Sequence, residues 1–380
     1  MNYKRYELRD LIKIKNGKDY KDEKLGTIPV YGTGGVIGFI DKYIYDGESI
    51  LLPRKGSLDN IEYVNGKFWT IDTMYWTKIN TSIVYGKFLY LYLSLLNTSK
   101  RNTGSTLPSM TFETYYSLKI FLPEYKEQKK IADFIFKIID KINNNNQINN
   151  NLEELMKTIY QRWFIEYEFP NEEGKDYKSN GGTLKFEAKL NKSIPENWEL
   201  ITFGEIVNFT KGRIPKYLYN EEASDLVSYI TIDVANNGKS QFCNKEKMII
   251  CNGETIMVMD GAASGDVYFG NYGVLGSTFS MLSSKRDDIH DSLIYVLLNE
   301  NKLMYKKANT GSTVPHANKT FITNMKIALP KNCSFFSKKF DYICKKIEIL
   351  KKENKILESC KEYLLPLLIN GQINVDDIEI

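Results

Sequence analysis

A seven-residue segment occurs twice in this chain of 380 residues. The first copy, at positions 102–108, is NTGSTLP, and the second copy, at positions 309–315, is NTGSTVP. The likeness continues downstream at the same offset, where LKIFLP at 118–123 corresponds to MKIALP at 325–330. Solenoid repeats have units of about 20–50 residues, so a period this long indicates a duplicated domain. The sequence therefore predicts two equivalent globular domains.

A long heptad pattern follows each copy of the repeat. Apolar residues recur at heptad spacing over 131–163, where Asn145 and Asn149 take two of the expected apolar positions. The second pattern covers 336–368 and has Asn354 near its centre. A helix of about 40 residues, roughly 60 Å long, must bury such a stripe against a partner to be stable. Each pattern therefore predicts a long helix that packs against the other.

Antiparallel pairing of the two stripes places Asn145 opposite Asn354. A buried asparagine pair costs stability, but it penalises shifted registers, in which one amide would face hydrocarbon. The alternative is that the asparagine-rich run at 143–151 is solvated and interrupts the helix. The same register pairs apolar residues at the helix ends: Ile131 with Leu368, and Trp163 with Phe336.

The pattern predicts an α+β protein in which two duplicated α/β domains are separated by two long helices that form an antiparallel coiled coil, in a pseudo-twofold circular arrangement. Short strands are expected, among them one at 228–232, and helices at 87–96 and 291–302. Turn formers and polar residues between the halves are typical of a linker. The predicted parts are a first domain (1–124), a central helix (125–167), a linker (168–196), a second domain (197–331) and a C-terminal helix (332–372).

Composition excludes several classes of protein. The net charge of +4 permits nucleic-acid binding without requiring it. Five cysteines without a C-x-x-C pair, and two histidines, do not favour a metal site. The polar N-terminus and the absence of any run of about 18 apolar residues indicate neither a signal peptide nor a membrane span. We therefore expect a cytoplasmic protein.

Catalytic motifs are also missing from the sequence. It contains no complete phosphate-binding loop, no adenine-methyltransferase motif, no zinc-deaminase pattern and no nucleophile elbow. We therefore expect no catalytic residues and no cofactor bound by this chain itself.

The repeated segment supplies the first candidates for a DNA-binding site. Lysine and arginine can neutralise phosphate, while hydroxyl and amide groups can bond backbone oxygens or base edges. The alternative is a structural turn whose hydroxyls cap the domain's own backbone. The candidates in and beside the two copies are Lys100, Arg101, Thr103, Ser105, Thr106, Lys307, Thr310, Ser312, Thr313, His316 and Lys319.

Other loops differ between the two domains. The stretch with Arg54, Lys55 and Ser57 corresponds to the neighbourhood of Asp260 and Ser264, so equivalent places carry different chemistry. Two domains with one scaffold and different loop residues are expected to recognise two different short sequences. The remaining variable candidates are Lys15, Lys18, Lys211 and Arg213.

The connector between the halves carries a family resemblance. It contains RWF at 162–164, FPNEEG at 169–174 and IPENW at 194–198, and the first helix opens with EQKKIADF at 127–134. In residue identity and spacing these motifs resemble the specificity subunit of type I restriction-modification systems, and the likeness covers essentially the whole chain.

The resemblance implies two target-recognition domains, each of which reads one half of a split double-stranded DNA target. It also implies helices that dock two modification subunits, which would bind S-adenosylmethionine and methylate adenine, and restriction/translocase subunits that join for cleavage. Two alternatives are a scaffold that binds protein or sugar and a stand-alone DNA-modifying enzyme with an unfamiliar site.

Overall fold

The computed structural model describes residues 2–96, 109–236, 238, 240–311 and 314–378. The chain divides into two compact units, Met1–Asn144 with Asn354–Ile380, and Asn145–Glu353. Each unit contains one globular domain together with part of each long helix. The predicted fold class is confirmed in its two domains of mixed helix and sheet and in its long helices.

The first unit is built on a six-stranded sheet. Strands β2, β7, β5, β6, β3 and β4 lie side by side in that order, and β1 and β8 form a separate antiparallel pair. Within the large sheet, β3 and β6 are parallel and the other neighbours are antiparallel. The elements are β1 (Lys4–Glu7), α1 (Leu8–Leu11), β2 (Ile12–Lys15), β3 (Leu25–Gly32), β4 (Gly35–Ile40), β5 (Tyr45–Pro53), β6 (Glu62–Thr70), β7 (Met74–Ile79), α2 (Gly86–Leu95), α3 (Phe112–Tyr116), β8 (Lys119–Leu122) and the long helix α4 (Tyr125–Tyr160).

The second globular domain has two four-stranded sheets in place of one large sheet. Their orders are β12-β19-β16-β17 and β14-β13-β18-β15, and β11 pairs with β20 as β1 pairs with β8. The elements from the connector onward are β9 (Leu184–Glu187), β10 (Lys192–Pro195), β11 (Trp198–Thr202), α5 (Phe203–Ile206), β12 (Val207–Lys211), β13 (Leu226–Ile230), α6 (Ile232–Ala235), β14 (Gln241–Asn244), β15 (Ile250–Asn252), β16 (Thr255–Val258), β17 (Val267–Tyr268), β18 (Tyr272–Leu275), β19 (Phe279–Ser284), α7 (Asp291–Glu300), α8 (Lys302–Lys306), α9 (Lys319–Asn324), β20 (Lys326–Pro330) and the long helix α10 (Ser334–Ile369).

A capped helix follows the repeated segment in both domains. The hydroxyl of Thr111 accepts a hydrogen bond from Thr114 N (3.2 Å) at the start of α3, and Asn318 Oδ1 accepts one from Phe321 N (2.9 Å) at the start of α9. Short polar side chains cap helices because the first backbone N–H groups have no partner within the helix. In each domain the cap fixes the residue at which the helix after the repeated segment begins.

The asparagine-rich run does not interrupt the first long helix. Helix α4 continues from Tyr125 to Tyr160, and within it Asn145 and Asn149 are buried while Asn143 and Asn144 are exposed. The alternative of a solvated break is therefore wrong, because the two asparagines at heptad positions lie in the stripe and their neighbours face solvent.

Contacts within the second unit show that the two long helices run antiparallel. The Trp163 and Phe336 rings lie 5.5 Å apart between centroids, and Cys344 Sγ lies 3.6 Å from Met156 Sδ. Farther along, Asn145 Nδ2 donates to Glu353 Oε2 at 2.7 Å. Residue numbers rise along α4 and the π-helical turn Gln161–Ile165 that follows it, while the numbers of their partners on α10 fall.

The first unit has the same sense of pairing in its own core. Ile131 and Ile135 near the start of α4 are buried in one cluster with Leu365 and Leu368 near the end of α10. Both ends of the stripe thus form part of the core of a globular domain.

One local expectation needs correction. The strand predicted at 228–232 ends at Ile230, because Thr231 caps the short helix α6 by accepting a hydrogen bond from Val234 N (3.3 Å). The predicted linker at 168–196 contains the β9–β10 hairpin, and its Phe169 stacks on Trp198 with a centroid distance of 5.4 Å. Among the described helices, none combines the length and the apolar character that a bilayer span requires.

Candidate nucleic-acid interface

The second domain joins the end of its repeated segment to the turn after β16. Ala317 N donates to Met259 O (2.8 Å), and Asp260 and His316 form an isolated antiparallel bridge beside that bond. Gly261 then turns the chain with φ of +102°, a conformation that glycine adopts without strain. We call this contact the loop junction.

The first domain has the same loop junction after β5. Met110 N donates to Arg54 O (3.0 Å), and Lys55 and Ser109 form the isolated bridge. Gly56 follows with φ of +87°. The backbone geometry of the junction is therefore duplicated, while the side chains at its bridge differ.

A further backbone bond supports this equivalence. Arg54 N donates to Thr73 O at 2.8 Å, and Met259 N donates to Thr278 O at 2.7 Å. In each domain this bond joins the residue before the bridge to the residue that directly precedes a neighbouring strand of the sheet, β7 in the first domain and β19 in the second. Lys55 and Asp260 consequently occupy the same position in their domains.

Asp260 is the centre of a charged cluster at the second loop junction. Its Oδ1 lies 2.8 Å from His316 Nδ1, and its Oδ2 lies 3.3 Å from Lys211 Nζ at the end of β12. Burial opposes ionisation of this carboxyl, but hydrogen bonds from His316 and Lys211 outweigh it and lower the pKa of Asp260. The structure thus brings together two predicted site residues, Lys211 and His316.

The described residues of the second repeated segment form hydrogen bonds within their own domain. Thr310 and His316 exchange two backbone hydrogen bonds of 2.9 and 2.7 Å, and Asn309 Nδ2 donates to Ser264 O and Oγ. Gly311 has φ of +88°, and a Cβ there would lie 2.2 Å from Val314 O. These contacts support the structural-turn alternative for Asn309, Thr310 and Gly311.

Ser264 needs a correction as a DNA-binding candidate. Its side chain is buried, and its hydroxyl accepts the hydrogen bond from Asn309. The residue therefore holds the repeated segment in place and does not face solvent. Lys306 also contacts its own domain, because its Nζ lies 2.6 Å from Asp266 Oδ1, which Lys302 Nζ contacts at 2.7 Å. The neighbouring Lys307 is exposed.

Several predicted residues lie outside the described part of the chain. They are Lys100, Arg101, Thr103, Ser105 and Thr106 of the first copy, and Ser312 and Thr313 of the second.

The other candidates sit at different places on their domains. In the first domain, Lys15, Lys18 and Ser57 are exposed, whereas the Arg54 guanidinium lies 6.0 Å from the Tyr75 ring centroid. In the second domain, Arg213 Nη1 donates to Lys247 O (3.0 Å), and Lys319 Nζ lies 5.1 Å from the Phe209 ring centroid. Arg54 and Arg213 thus contact their own domain, while Lys15, Lys18 and Lys319 lie at exposed positions.

Sequence reasoning missed an exposed loop tip at 214–218, between β12 and β13. Ile214 is 76% exposed and Tyr217 62% exposed, and the bond from Arg213 N to Leu275 O (3.1 Å) anchors the start of the tip. Paired backbone bonds between Tyr219 and Phe242 anchor its end. The available signal was Lys216 followed by Tyr217 and Tyr219, because basic and aromatic side chains together suit nucleic-acid surfaces. Within the described ranges, no group of three or more His, Cys, Asp or Glu side chains could hold a metal ion.

Comparison with known proteins decides the family. The sequence model of the type I restriction modification DNA specificity domain matches residues 1–154 and again residues 195–359, which together are more than half of the chain. The chain belongs to this family. The double match agrees with the duplicated loop junction, and the family predicted from the connector motifs is confirmed.

Curated relatives in the family are named specificity subunits. The MjaVIII specificity subunit of Methanocaldococcus jannaschii is 29% identical over 43% of this chain and 41% of its own length. The MjaIX subunit of the same organism is 26% identical over 72% and 65%, and the HindI subunit of Haemophilus influenzae is 22% identical over 83% and 82%. The chain therefore spans less than two thirds of the length of the first two relatives. All three relatives carry the name specificity subunit of a type I restriction enzyme.

A solved structure shares the fold. The type I restriction-modification S subunit from M. genitalium is 18% identical, with a TM-score of 0.69 over 97% of this chain and 96% of that one. The likeness extends over both family domains and the helices.

Proposed function

We propose that this member of the specificity family is the DNA-binding specificity subunit of a type I restriction-modification enzyme, and that it recognises a bipartite, asymmetric target in double-stranded DNA. The domains at 1–124 and 197–331 each read one half-site. The observation that carries the proposal is the loop junction, which has the same backbone in both domains but Lys55 and Ser109 in one, and Asp260 and His316 in the other. One scaffold with opposite charges at one position suits the recognition of two different half-sites.

The long helices at 125–167 and 332–372 hold the two domains and dock two modification subunits, with the linker at 168–196 between the halves. S-adenosylmethionine and the chemistry of adenine methylation belong to those modification subunits, and restriction/translocase subunits join the complex for cleavage. Exposed apolar side chains on the outer face of α10, such as Tyr342, Ile349, Ile356 and Tyr363, support such docking. The complex acts in the cytoplasm, where its DNA target lies.

Methylome sequencing of cells with and without this chain tests the proposal. We expect methylated adenines in one bipartite motif when the chain and its modification subunits are present, and loss of that motif when the chain is deleted. Methylation of DNA by the purified chain alone would instead identify a stand-alone enzyme. If the chain fails to bind duplex DNA at low salt even with modification subunits, it is a scaffold for another ligand.

A further inference from the structure

Lys55 and Asp260 are equivalent residues of opposite charge. Each stands one position after the backbone bond that ties the loop junction to its sheet and one position before a glycine of positive φ. Each also forms the isolated bridge to the residue that directly follows the repeated segment, Ser109 or His316. The fold therefore presents one side chain at a fixed place in each domain, and only its chemistry differs.

The Asp260 carboxylate retains capacity to accept further hydrogen bonds. It contacts one donor at each oxygen, His316 Nδ1 and Lys211 Nζ, whereas an ionised carboxylate offers about four acceptor sites. Its side chain is 34% exposed, so an external donor can reach it. Lys55 has only donors to offer, because an ammonium group has no acceptor.

The neighbours of Asp260 suit a carboxylate that approaches DNA. Phosphate repels a carboxylate, and two adjacent positive or donor groups offset that repulsion while they fix the carboxylate's orientation. His316 and Lys211 fill this role in the second domain. At the first loop junction the residue is already a cation, and Ser109 stands in the place of His316.

We propose that Lys55 and Asp260 are specificity-determining residues that contact base edges of opposite hydrogen-bonding character. Lys55 donates to O6 or N7 of a guanine in the half-site of the first domain. Asp260 accepts from an exocyclic amino group, cytosine N4 or adenine N6, in the half-site of the second domain. Lys211 and His316 position the Asp260 carboxylate. This inference rests on the proposed function and names the residues through which it operates.

The experiment uses the full chain co-expressed with its modification subunits and reads the methylated motif by methylome sequencing. The test variants are Lys55→Gln and Asp260→Asn, which change charge with little change in shape. The matched controls are Lys119→Gln on β8 and Asp225→Asn before β13, both at exposed positions. Circular dichroism of each purified variant establishes that it is folded.

We expect each test variant to relax one base pair in one half-site only. Because a well-placed contact of this kind discriminates by about 1–3 kcal/mol, preference at that pair falls by roughly 5- to 150-fold. Lys55→Gln relaxes a G·C pair. For Asp260→Asn, relaxation of a G·C pair identifies cytosine N4 and relaxation of an A·T pair identifies adenine N6. Both controls keep the parental motif.

Two kinds of failure are distinguishable. If the parental chain gives a bipartite motif and the test variants keep it, or weaken methylation uniformly at all sites, Lys55 and Asp260 do not select bases and the inference is overturned while the proposed function stands. If Lys55→Gln relaxes an A·T pair, the guanine contact is wrong. If the parental chain gives no bipartite motif, the proposed function itself fails, and the inference fails with it.

Discussion

Asn145 Nδ2 donates a 2.7 Å hydrogen bond to Oε2 of Glu353, the residue that precedes Asn354 in the other long helix. Asn145 is completely buried in the heptad stripe of α4. Hydrogen bonds from a buried amide to a charged group contribute about 1.5–3 kcal/mol, and a shifted register would leave the amide without this acceptor. The bond thus favours one register over its neighbours.

Double-mutant cycles test this register. We expect Asn145→Leu and Glu353→Leu to show a coupling of about 1 kcal/mol in urea unfolding, because each single change already removes the shared bond. The predicted pairing of Asn145 with Asn354 is measured by a second cycle in which both become leucine. A coupling indistinguishable from zero in that second cycle would exclude the asparagine pair as a register element.

A second prediction compares two neighbouring aromatic residues of α10. Phe340 is fully buried, with its ring centroid 6.2 Å from that of Trp163, whereas Tyr342 is 75% exposed. Phe340→Ala should lower the free energy of unfolding by about 3–5 kcal/mol, since it leaves a cavity in a packed aromatic cluster. Tyr342→Ala should change it by less than about 0.5 kcal/mol. Similar losses for both variants would contradict the packing of Phe340 against Trp163.

The sequence predicted the repeated architecture well because its signals are local and periodic. Heptad spacing predicted both long helices, and the apolar runs bounded by glycine predicted strands such as β5 and β16. It did not predict that the second domain divides its strands between two sheets, since strand neighbours depend on contacts between distant segments. Nor did it predict the cluster of Lys211, Asp260 and His316, whose members are separated by 49 and 56 positions.

The ion pair of Arg286 and Asp288 gives a prediction for pH. Two bonds of 2.9 and 2.8 Å join these side chains, and Asp288 Oδ2 also accepts from Cys333 N at 2.7 Å. The hydrogen bonds from Arg286 lower the pKa of Asp288, so its contribution to stability is present above the ordinary carboxyl pKa of about 3.9 and is lost as pH falls through the lower pKa of the folded state.

Asp288→Asn should therefore lower the free energy of unfolding at pH 7 by about 2 kcal/mol, because the charged hydrogen bonds are weakened. The difference between parent and variant should shrink as pH falls from 5 to 2. Urea titrations at each pH measure it, and Asp225→Asn at an exposed position serves as the control. A difference that stays constant down to pH 2 would show that the ionised carboxylate is not the stabilising form.

A last prediction concerns the length of the helices. Helices α4 and α10 each contain 36 residues, or about 54 Å at 1.5 Å per residue. A seven-residue insertion at the centre of both keeps the apolar stripe in phase, because the heptad is the period of that stripe. We expect the unread spacer between half-sites to lengthen by about 10 Å, or about three base pairs, while both half-site sequences stay the same.

The control is a five-residue insertion in both helices, which rotates the stripe out of phase and should destabilise the fold instead of extending the spacer. Methylome sequencing reads the spacer length and both half-sites from the same sample. If the heptad variant is folded and active but keeps the parental spacer, the helices do not set the distance between half-sites. If its half-site sequences change, the helices contribute to base recognition. That outcome would contradict the assignment of base recognition to the loop junctions alone.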